Sequence, residues 1–188
     1  MRSHVALLRG INVGGHNKVA MSDLRDILAS LGHTEVATYI QSGNAVFSSQ
    51  ETDTIRLAEN LERAVAERLG VRPAVVVFSR EQLEQVIAHN PYPQETSSRL
   101  LHAVFRRQEM DREGIVAVAQ AQQRASAKGS RDQAAVVGHI LFLHTPDGFG
   151  RSELAAQLVR SGTATSSGTP GTARNWATVT KLMALLND

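Results

Sequence analysis

Residues 9–18 combine three glycines and three basic side chains in one segment that contains no acid. Backbone N–H groups of glycine-rich turns bind anions, above all where a helix begins and positive charge is close by. The segment is not a Walker A loop, because His16 and Asn17 stand where that motif requires Lys and Ser or Thr. We therefore predict an anion-binding loop, and the alternative is a tight loop that only folds back over a sheet edge. The predicted contacts are Arg9, Asn12, Gly14, Gly15 and Lys18.

Two further segments place small and polar residues between predicted elements. Residues 41–44 form a predicted hairpin turn, and a turn alone is enough to explain its Gly-Asn pair. Residues 148–152 place glycines and a cation before a predicted helix, where a plain loop with Ser152 as N-cap is the simpler interpretation. The candidate contacts from these segments are Gln41, Ser42, Asn44 and Arg151.

A last segment, residues 172–181, opens a predicted C-terminal helix. If that helix begins near Asn175, then Arg174, Thr178 and Lys181 lie on one face. Two cations near a helix N-terminus suit a phosphate. The alternative is a solvated helix surface with Trp176 in the core, and the core is the favoured place for Trp176. The candidate contacts are Arg174, Asn175, Thr178 and Lys181.

Patterns typical of catalysis or metal binding are not recognisable. The seven histidines form no HExxH motif, no G-x-S-x-G elbow occurs, and no pair of carboxylates stands out. The chain has no cysteine, which excludes disulfide partners, thiolate catalysis and cysteine-based metal sites. We predict no metal site, and the sequence identifies neither a catalytic residue nor a cofactor.

Hydrophobic periodicity predicts the elements that position these segments in the first half of the chain. Strands are predicted over 4–9, 36–41, 45–49 and 74–78, with helices through Leu24 to Leu31 and Ile55 to Leu69. Gly32 and Gly70 then stand at typical C′ positions. This βαββαβ order is the ferredoxin-like pattern, in which two helices cover one face of an antiparallel sheet.

The same order nearly restarts after a helix that opens with a capping box at Ser79 to Gln82. Strands are predicted over 101–106, 134–138 and 140–144, and helices over 111–124 and 152–160, about 97 residues after their counterparts. Thr163 to Thr172 is predicted to be a mobile loop that breaks the repeat before the C-terminal helix. The sequence predicts an α+β protein of two ferredoxin-like halves: residues 1–79, a helix and linker over 80–99, and residues 100–188.

Composition bounds the size of the core and narrows the classes of partner. A chain of 188 residues with 42% hydrophobic residues can bury one large core or two small ones. The net charge of +2 is weak evidence for nucleic acid, and 4% aromatic residues argue against a stacking platform for RNA. The apolar runs are too short to span a membrane and no signal-peptide core is present, so we expect a cytoplasmic protein with no membrane partner.

Four segments together resemble the bacterial family known as domain of unknown function 1697. They are ALLRGINVGGHNK (6–18), YIQSGNAVF (39–47), GFGRSEL (148–154) and TARNWATVTKL (172–182). The resemblance covers essentially the whole chain and implies two ferredoxin-like halves, but it implies no activity, because the family is uncharacterised. The loop after the first strand and the hairpin are expected at opposite ends of their sheet, so that the C-terminal helix would have to bridge them.

Three hypotheses of function remain open at this level. The leading one is a binding module for an anionic ligand, either a nucleotide-like small molecule or a nucleic acid backbone. The second is an enzyme for a phosphorylated or carboxylated metabolite, with Arg9, Lys18, Arg174 and Lys181 as clamps and His16 as acid or base. The third is an interaction protein in which the motifs only hold the halves together. The sequence does not predict the oligomeric state.

Overall fold

The computed structural model describes residues 1–160 and 171–188, which form two compact units. The first unit comprises Met1–Ile87 and Thr180–Asp188, and the second comprises Ala88–Val179. The domain boundaries predicted near residues 79 and 99 stay a prediction. Within the described residues, none of the helices has the length and apolar character needed to cross a membrane.

The first unit contains a four-stranded antiparallel sheet. Its strands are β1 (His4–Arg9), β2 (Thr34–Tyr39), β3 (Asn44–Ser48) and β4 (Ala74–Ser79), in the order β2-β3-β1-β4. Edge strand β2 begins two residues earlier than predicted, and its register shifts between Thr34 and Ala37, where Glu35 has a φ of +51°. A bulge of this kind adds a residue that hydrophobic alternation does not reveal.

Two amphipathic helices cover one face of this sheet, as predicted. They are α1 (Met21–Ser30) and α2 (Thr54–Leu69). Asp53 caps the N-terminus of α2 and Gly70 ends it in the left-handed region, at a φ of +68°. Their apolar stripes join alternate residues of the strands in one core, which includes Leu8, Phe47 and Val75.

Helix α3 (Arg80–Ala88) begins with the predicted capping box. The backbone N–H of Gln82 donates to Ser79 Oγ at 3.2 Å, and the Ser79 N–H donates to Gln82 Oε1 at 2.8 Å. Two of the N–H groups at this helix start are thereby satisfied reciprocally.

The second unit repeats the architecture. Its strands are β5 (Leu101–Phe105), β6 (Gln133–Val137), β7 (Ile140–His144) and β8 (Thr172–Asn175), in the order β6-β7-β5-β8. The helices are α4 (Arg112–Ala127) and α5 (Glu153–Arg160), preceded by a 3-10 turn at Phe149–Arg151. Both units therefore have the same strand order and the ferredoxin-like topology.

Strand β8 corrects the prediction that the last segment breaks the repeat. Thr172 pairs with Phe105 and Arg174 pairs with Ala103, so this strand closes the second sheet along β5. The sequence Thr-Ala-Arg-Asn has no apolar alternation, because only one of its four residues is hydrophobic, and it gives no strand signal. Most of the loop predicted over Thr163 to Thr172 lies outside the described residues.

Helix α6 (Trp176–Asn187) begins in the second unit and ends in the first. Two arginines satisfy the carbonyl groups of its last turn. Arg2 Nη1 donates to the Leu185 carbonyl at 2.6 Å, and Arg80 donates to the Leu186 carbonyl and to Asn187 Oδ1. Arg80 Nη2 also donates to the Arg2 carbonyl at 2.8 Å. The C-terminus of the helix is thereby fixed within the first unit.

Candidate functional site

The antiparallel pairing of β1 with β3 brings the glycine-rich loop and the hairpin to the same end of the first sheet. Leu7 pairs with Asn44, so the end of β1 lies beside the start of β3. The expectation that the two segments lie at opposite ends was therefore wrong. A strand and its antiparallel neighbour place the end of one beside the beginning of the other, and no bridging helix is needed to join them.

The side chain of Asn12 fixes the loop to the hairpin. Its Nδ2 atom donates to the carbonyl oxygens of Val19 and Gln41, both at 2.8 Å, and its Oδ1 atom accepts the Val19 N–H at 2.9 Å. Asn12 has a φ of +55°, in the left-handed region that Asn tolerates better than most residues. The amide is fully engaged with backbone, which makes Asn12 a residue that positions the loop.

The hairpin turn occupies residues 40–43 and packs closely on β1. The Leu8 N–H donates to the Gly43 carbonyl at 2.8 Å. A Cβ atom at Gly43 would lie 2.7 Å from Ile11 Cδ1 and 2.8 Å from Leu8 Cβ, and the φ of +79° also favours glycine. Only glycine fits this approach between the turn and β1.

Asn44 lies in a strand, whereas the sequence predicted it in the turn. It is the first residue of β3 and is completely buried, and its Nδ2 donates to the Tyr39 carbonyl and to Ser42 Oγ, both at 3.0 Å. These bonds tie the two sides of the hairpin together. Gln41 and Ser42 are exposed at the turn itself.

The basic side chains of the loop are at least partly accessible to solvent. Lys18 and His16 are exposed, and Arg9 is half-buried at the end of β1. Helix α1 begins directly after this loop, and no side chain caps its N-terminus at Ala20. We name residues 9–19 the cationic loop, and the end of the sheet that it forms with the hairpin turn has N–H groups, positive side chains and a helix start together.

A strained residue that the sequence did not indicate lies at the same end. Ile40 in the hairpin turn has a φ of +48°, a region that β-branched residues rarely occupy. Its side chain is 51% exposed, and Val13 in the cationic loop is 67% exposed. No sequence signal predicts a positive φ at Ile, because Gly, Asn and Asp are the residues that normally supply it.

The second unit has a similar contact at its corresponding end, but with a buried arginine. Arg106 directly follows β5, and its backbone N–H donates to the His139 carbonyl at 3.1 Å. The side chain is only 2% exposed, and burial lowers its pKa, an effect that the nearby Asp111 opposes. Arg106 is therefore buried at the position that corresponds to half-buried Arg9.

Arg151 lies before a helix whose N-terminus already holds a carboxylate. The Oδ2 atom of buried Asp132 accepts hydrogen bonds from Ser152 Oγ at 2.9 Å and from the Leu154 N–H at 3.3 Å. Ser152 Oγ accepts the Ala155 N–H at 2.9 Å, which confirms the N-cap interpretation. The favourable position for an anion at α5 is thus filled from within the protein.

The C-terminal candidates do not form the exposed face that was predicted. Arg174 lies in β8 and is 9% exposed, where burial lowers its pKa to about 10. Asn175 Oδ1 accepts the Thr178 N–H at 2.9 Å and so caps α6. Thr178 is buried, and Lys181 is exposed. The prediction was wrong because the helix begins after Arg174, so helical spacing does not apply to that residue.

Trp176, predicted to lie in the core, is half-buried at the start of α6, with its ring centroid 6.0 Å from that of Phe142.

Within residues 1–160 and 171–188, no three His, Cys, Asp or Glu side chains group closely enough to hold a metal ion.

Comparisons with known proteins identify the family. The chain is similar to the conserved bacterial protein SP0830 from Streptococcus pneumoniae, with 25% sequence identity, a TM-score of 0.72 and 98% coverage of both chains. No curated protein matches it. The family model described as "Protein of unknown function (DUF1697)" matches residues 1–142, and the chain belongs to this family.

Proposed function

We propose that this protein binds a phosphate-bearing ligand, either a nucleotide-like molecule or a nucleic acid, at the cationic loop and hairpin turn of the first unit. The observation that carries the proposal is the engagement of Asn12. Its three hydrogen bonds hold an exposed loop without acids in one conformation against the hairpin. Binding to an ordered loop avoids part of the entropy that a flexible one would lose.

Each candidate has a different role in this proposal. Lys18 and Arg9 supply positive charge, and the amides of Gly14 and Gly15 supply N–H donors in a turn with positive φ. Gln41 and Ser42 are the exposed polar groups of the hairpin turn. Asn12 and Asn44 position the backbone and are not expected to touch the ligand.

The exposed aliphatic side chains extend the proposal beyond a bare anion. Val13 in the cationic loop and Ile40 in the hairpin turn both have exposed side chains. The positive φ of Ile40 lowers the stability of the protein, and its exposed side chain gains little from burial that could offset this cost. Strained residues of this kind cluster at ligand sites. A ligand with an apolar or aromatic body beside its phosphate, such as a nucleotide, would cover these side chains.

The other candidates are outside the proposed site. Arg174 and Thr178 are buried, Asn175 caps a helix, and Arg151 adjoins a helix start that Asp132 already fills. Lys181 is exposed and remains a candidate by its charge alone. The enzyme hypothesis expects His16, as acid or base, in a closed pocket, but His16 is exposed in a turn.

The proposal is tested by titrating ¹⁵N-labelled protein with ATP and with a short single-stranded RNA at two salt concentrations. We expect the amide signals of Gly14, Gly15 and Lys18 to shift and saturate, and Lys18→Gln to weaken the binding. Lys128→Gln is the matched control, because Lys128 is an exposed lysine of the second unit that pairs with Glu153.

The salt dependence separates the two ligand classes. An RNA that contacts several phosphates loses affinity with a log–log slope of about −0.7 per contact, whereas a mononucleotide responds less steeply. Saturable shifts that Lys18→Gln leaves unchanged would contradict the proposed site, and so would an absence of shifts with both ligands.

A further inference from the structure

Edge strand β6 of the second unit presents backbone groups that β7 does not use. Val137 and Ile140 flank a two-residue turn in which Gly138 has a φ of +54°, the geometry of a tight hairpin. In such a hairpin the flanking residues bond to each other, and every second residue directs its N–H and C=O to the outer edge. Ala134 and Val136 are the outward-facing residues.

The hydrogen bonds of the described residues agree with this alternation. The outward N–H of Ala134 donates to Gln122 Oε1 of α4 at 2.7 Å. Among those residues no bond is formed by the outward N–H and C=O of Val136, since β6 pairs with β7 alone. The edge therefore retains a donor and an acceptor at one residue.

The residues of strand β6 itself lack the features that normally block strand addition. Exposed edges are usually protected by bulges, charges or proline. Edge strand β2 of the first unit has such a bulge near Glu35. In contrast, β6 has the sequence Gln-Ala-Ala-Val-Val and pairs with β7 in continuous register over its whole length.

An uncharged groove of about 580 Å³ runs beside the edge, between β6 and α4. Its lining includes Ile115 and Gln122 of α4 and Ala134 and Val136 of β6. Residues 114–123 of α4 contain no charged side chain, and both Ile115 and Val116 are 46% exposed. An apolar surface that continues from an open strand edge is typical of an interaction site.

We propose that this surface binds a second copy of the chain, with β6 pairing antiparallel to its counterpart about a two-fold axis at Val136. In this register the N–H of Val136 donates to the C=O of Val136 in the other copy, and its C=O accepts the N–H of that same residue. The Ala134 carbonyl accepts the N–H of Gly138 from the other copy, and the bond between Ala134 and Gln122 is kept.

Two observations favour a second copy over an unrelated strand. The residues that line the groove carry no charge, so two identical grooves approach each other without charge repulsion. The Glu109 carboxylate lies near Gly138, at the end of the edge. A lone strand would cover the β6 edge but leave Ile115 and Val116 exposed on α4. A second copy brings its own α4, whose apolar residues cover those of the first.

The experiment is sedimentation equilibrium of the full chain over a range of concentrations. We expect a monomer–dimer equilibrium that Val136→Pro weakens at least about tenfold, because proline removes the outward N–H and leaves the bonds to β7 in place. Ile115→Glu places a charge in the groove and is expected to weaken dimerisation similarly. Ile115→Glu therefore still tests the proposal if the proline variant does not fold.

Ile55→Glu is the matched control, since Ile55 is 48% exposed on α2 of the first unit. We expect it to dimerise like the wild type. A wild type that stays monomeric up to about 1 mM would overturn the proposal. The partner of the β6 edge would then be an extended segment of another protein. Dimers that persist in both second-unit variants would also overturn it, because they would use another surface.

Discussion

The side-chain nitrogen of Asn12 lies 2.8 Å from the backbone carbonyl oxygen of Gln41, twenty-nine residues further along the chain. This hydrogen bond joins the two motifs of the first unit that combine glycines with polar side chains. It shows that the cationic loop and the hairpin turn are held together by a residue that the loop itself supplies. The proposed anion site depends on this connection.

Asn12 is therefore expected to contribute to stability in two separable ways. Asn12→Gly keeps the left-handed backbone accessible but removes three hydrogen bonds, and we expect it to lower the free energy of unfolding by roughly 1–2 kcal/mol. Asn12→Ala should cost about 1 kcal/mol more, because a Cβ is disfavoured at a φ of +55°. Urea denaturation measures both values. Equal stabilities for the two variants would contradict the assigned backbone strain.

Replacement of Ile40 is expected to stabilise the protein. Ile40→Asn places a residue that tolerates the left-handed region at a φ of +48°, and we expect a gain of about 1 kcal/mol in the free energy of unfolding. The exposed side chain contributes little burial that could be lost. Val13→Asn is the control, since Val13 is also exposed but has no positive φ, and it should give no gain. A loss of stability in Ile40→Asn would show that the isoleucine is not strained.

The fold of the first unit follows from its sequence because local signals and packing agree there. Leu24, Ile27 and Leu28 repeat at helical spacing and are all buried on the sheet. Gly70 and the Ser79–Gln82 box mark helix ends by backbone chemistry that depends on neighbouring residues only. Signals of this kind are readable without knowledge of the tertiary structure.

The candidate site was less predictable because it depends on contacts between distant residues. Strand β8 exists through its pairing with β5, which overrides a sequence that contains Arg174 and Asn175. The roles of Asn12 and Asn44 as backbone anchors are likewise invisible in sequence, where a buried amide and a ligand-binding amide are the same residue. Lys18 is an exposed cation, whereas burial removes Arg174 from the accessible cations.

Arg80 is expected to anchor the end of helix α6. Its guanidinium bonds to the carbonyls of Arg2 and Leu186 and to Asn187 Oδ1, and charge-assisted bonds of this type are stronger than neutral ones. Arg80→Met should lower the free energy of unfolding by roughly 2 kcal/mol and speed amide exchange in the last turn of α6. Arg72→Met, at an exposed arginine, should change neither quantity. Unchanged exchange in Arg80→Met would refute the anchoring role.

The stability of the first unit is expected to fall in mild acid because of His4 and His33, whose rings pack on Phe47. Burial lowers the pKa of His4, and the neighbouring His33 lowers it further, while Glu81 and Glu51 oppose the shift. Burial also lowers the pKa of His33. The unfolded chain therefore takes up protons first as the pH falls below about 6.5. The free energy of unfolding is highest above that pH and decreases as the pH falls from there to the lower pKa values of the folded state.

This pH dependence is measured by urea denaturation between about pH 7.5 and pH 5. His4→Gln and His33→Gln should each show a smaller decline in the free energy of unfolding than the wild type. The same decline in all three proteins would show that other groups are responsible.

The central claim, that the cationic loop binds phosphate, is tested most directly by titrating the ¹⁵N-labelled wild type with pyrophosphate. The amide signals of Gly10, Gly14 and Gly15 report on the loop itself, so the result does not depend on a distant probe. We predict saturable shifts at these glycines, with Gly129 of the second unit unchanged. Shifts at Gly129 as large as those in the loop, or no shifts at all, would contradict the claim.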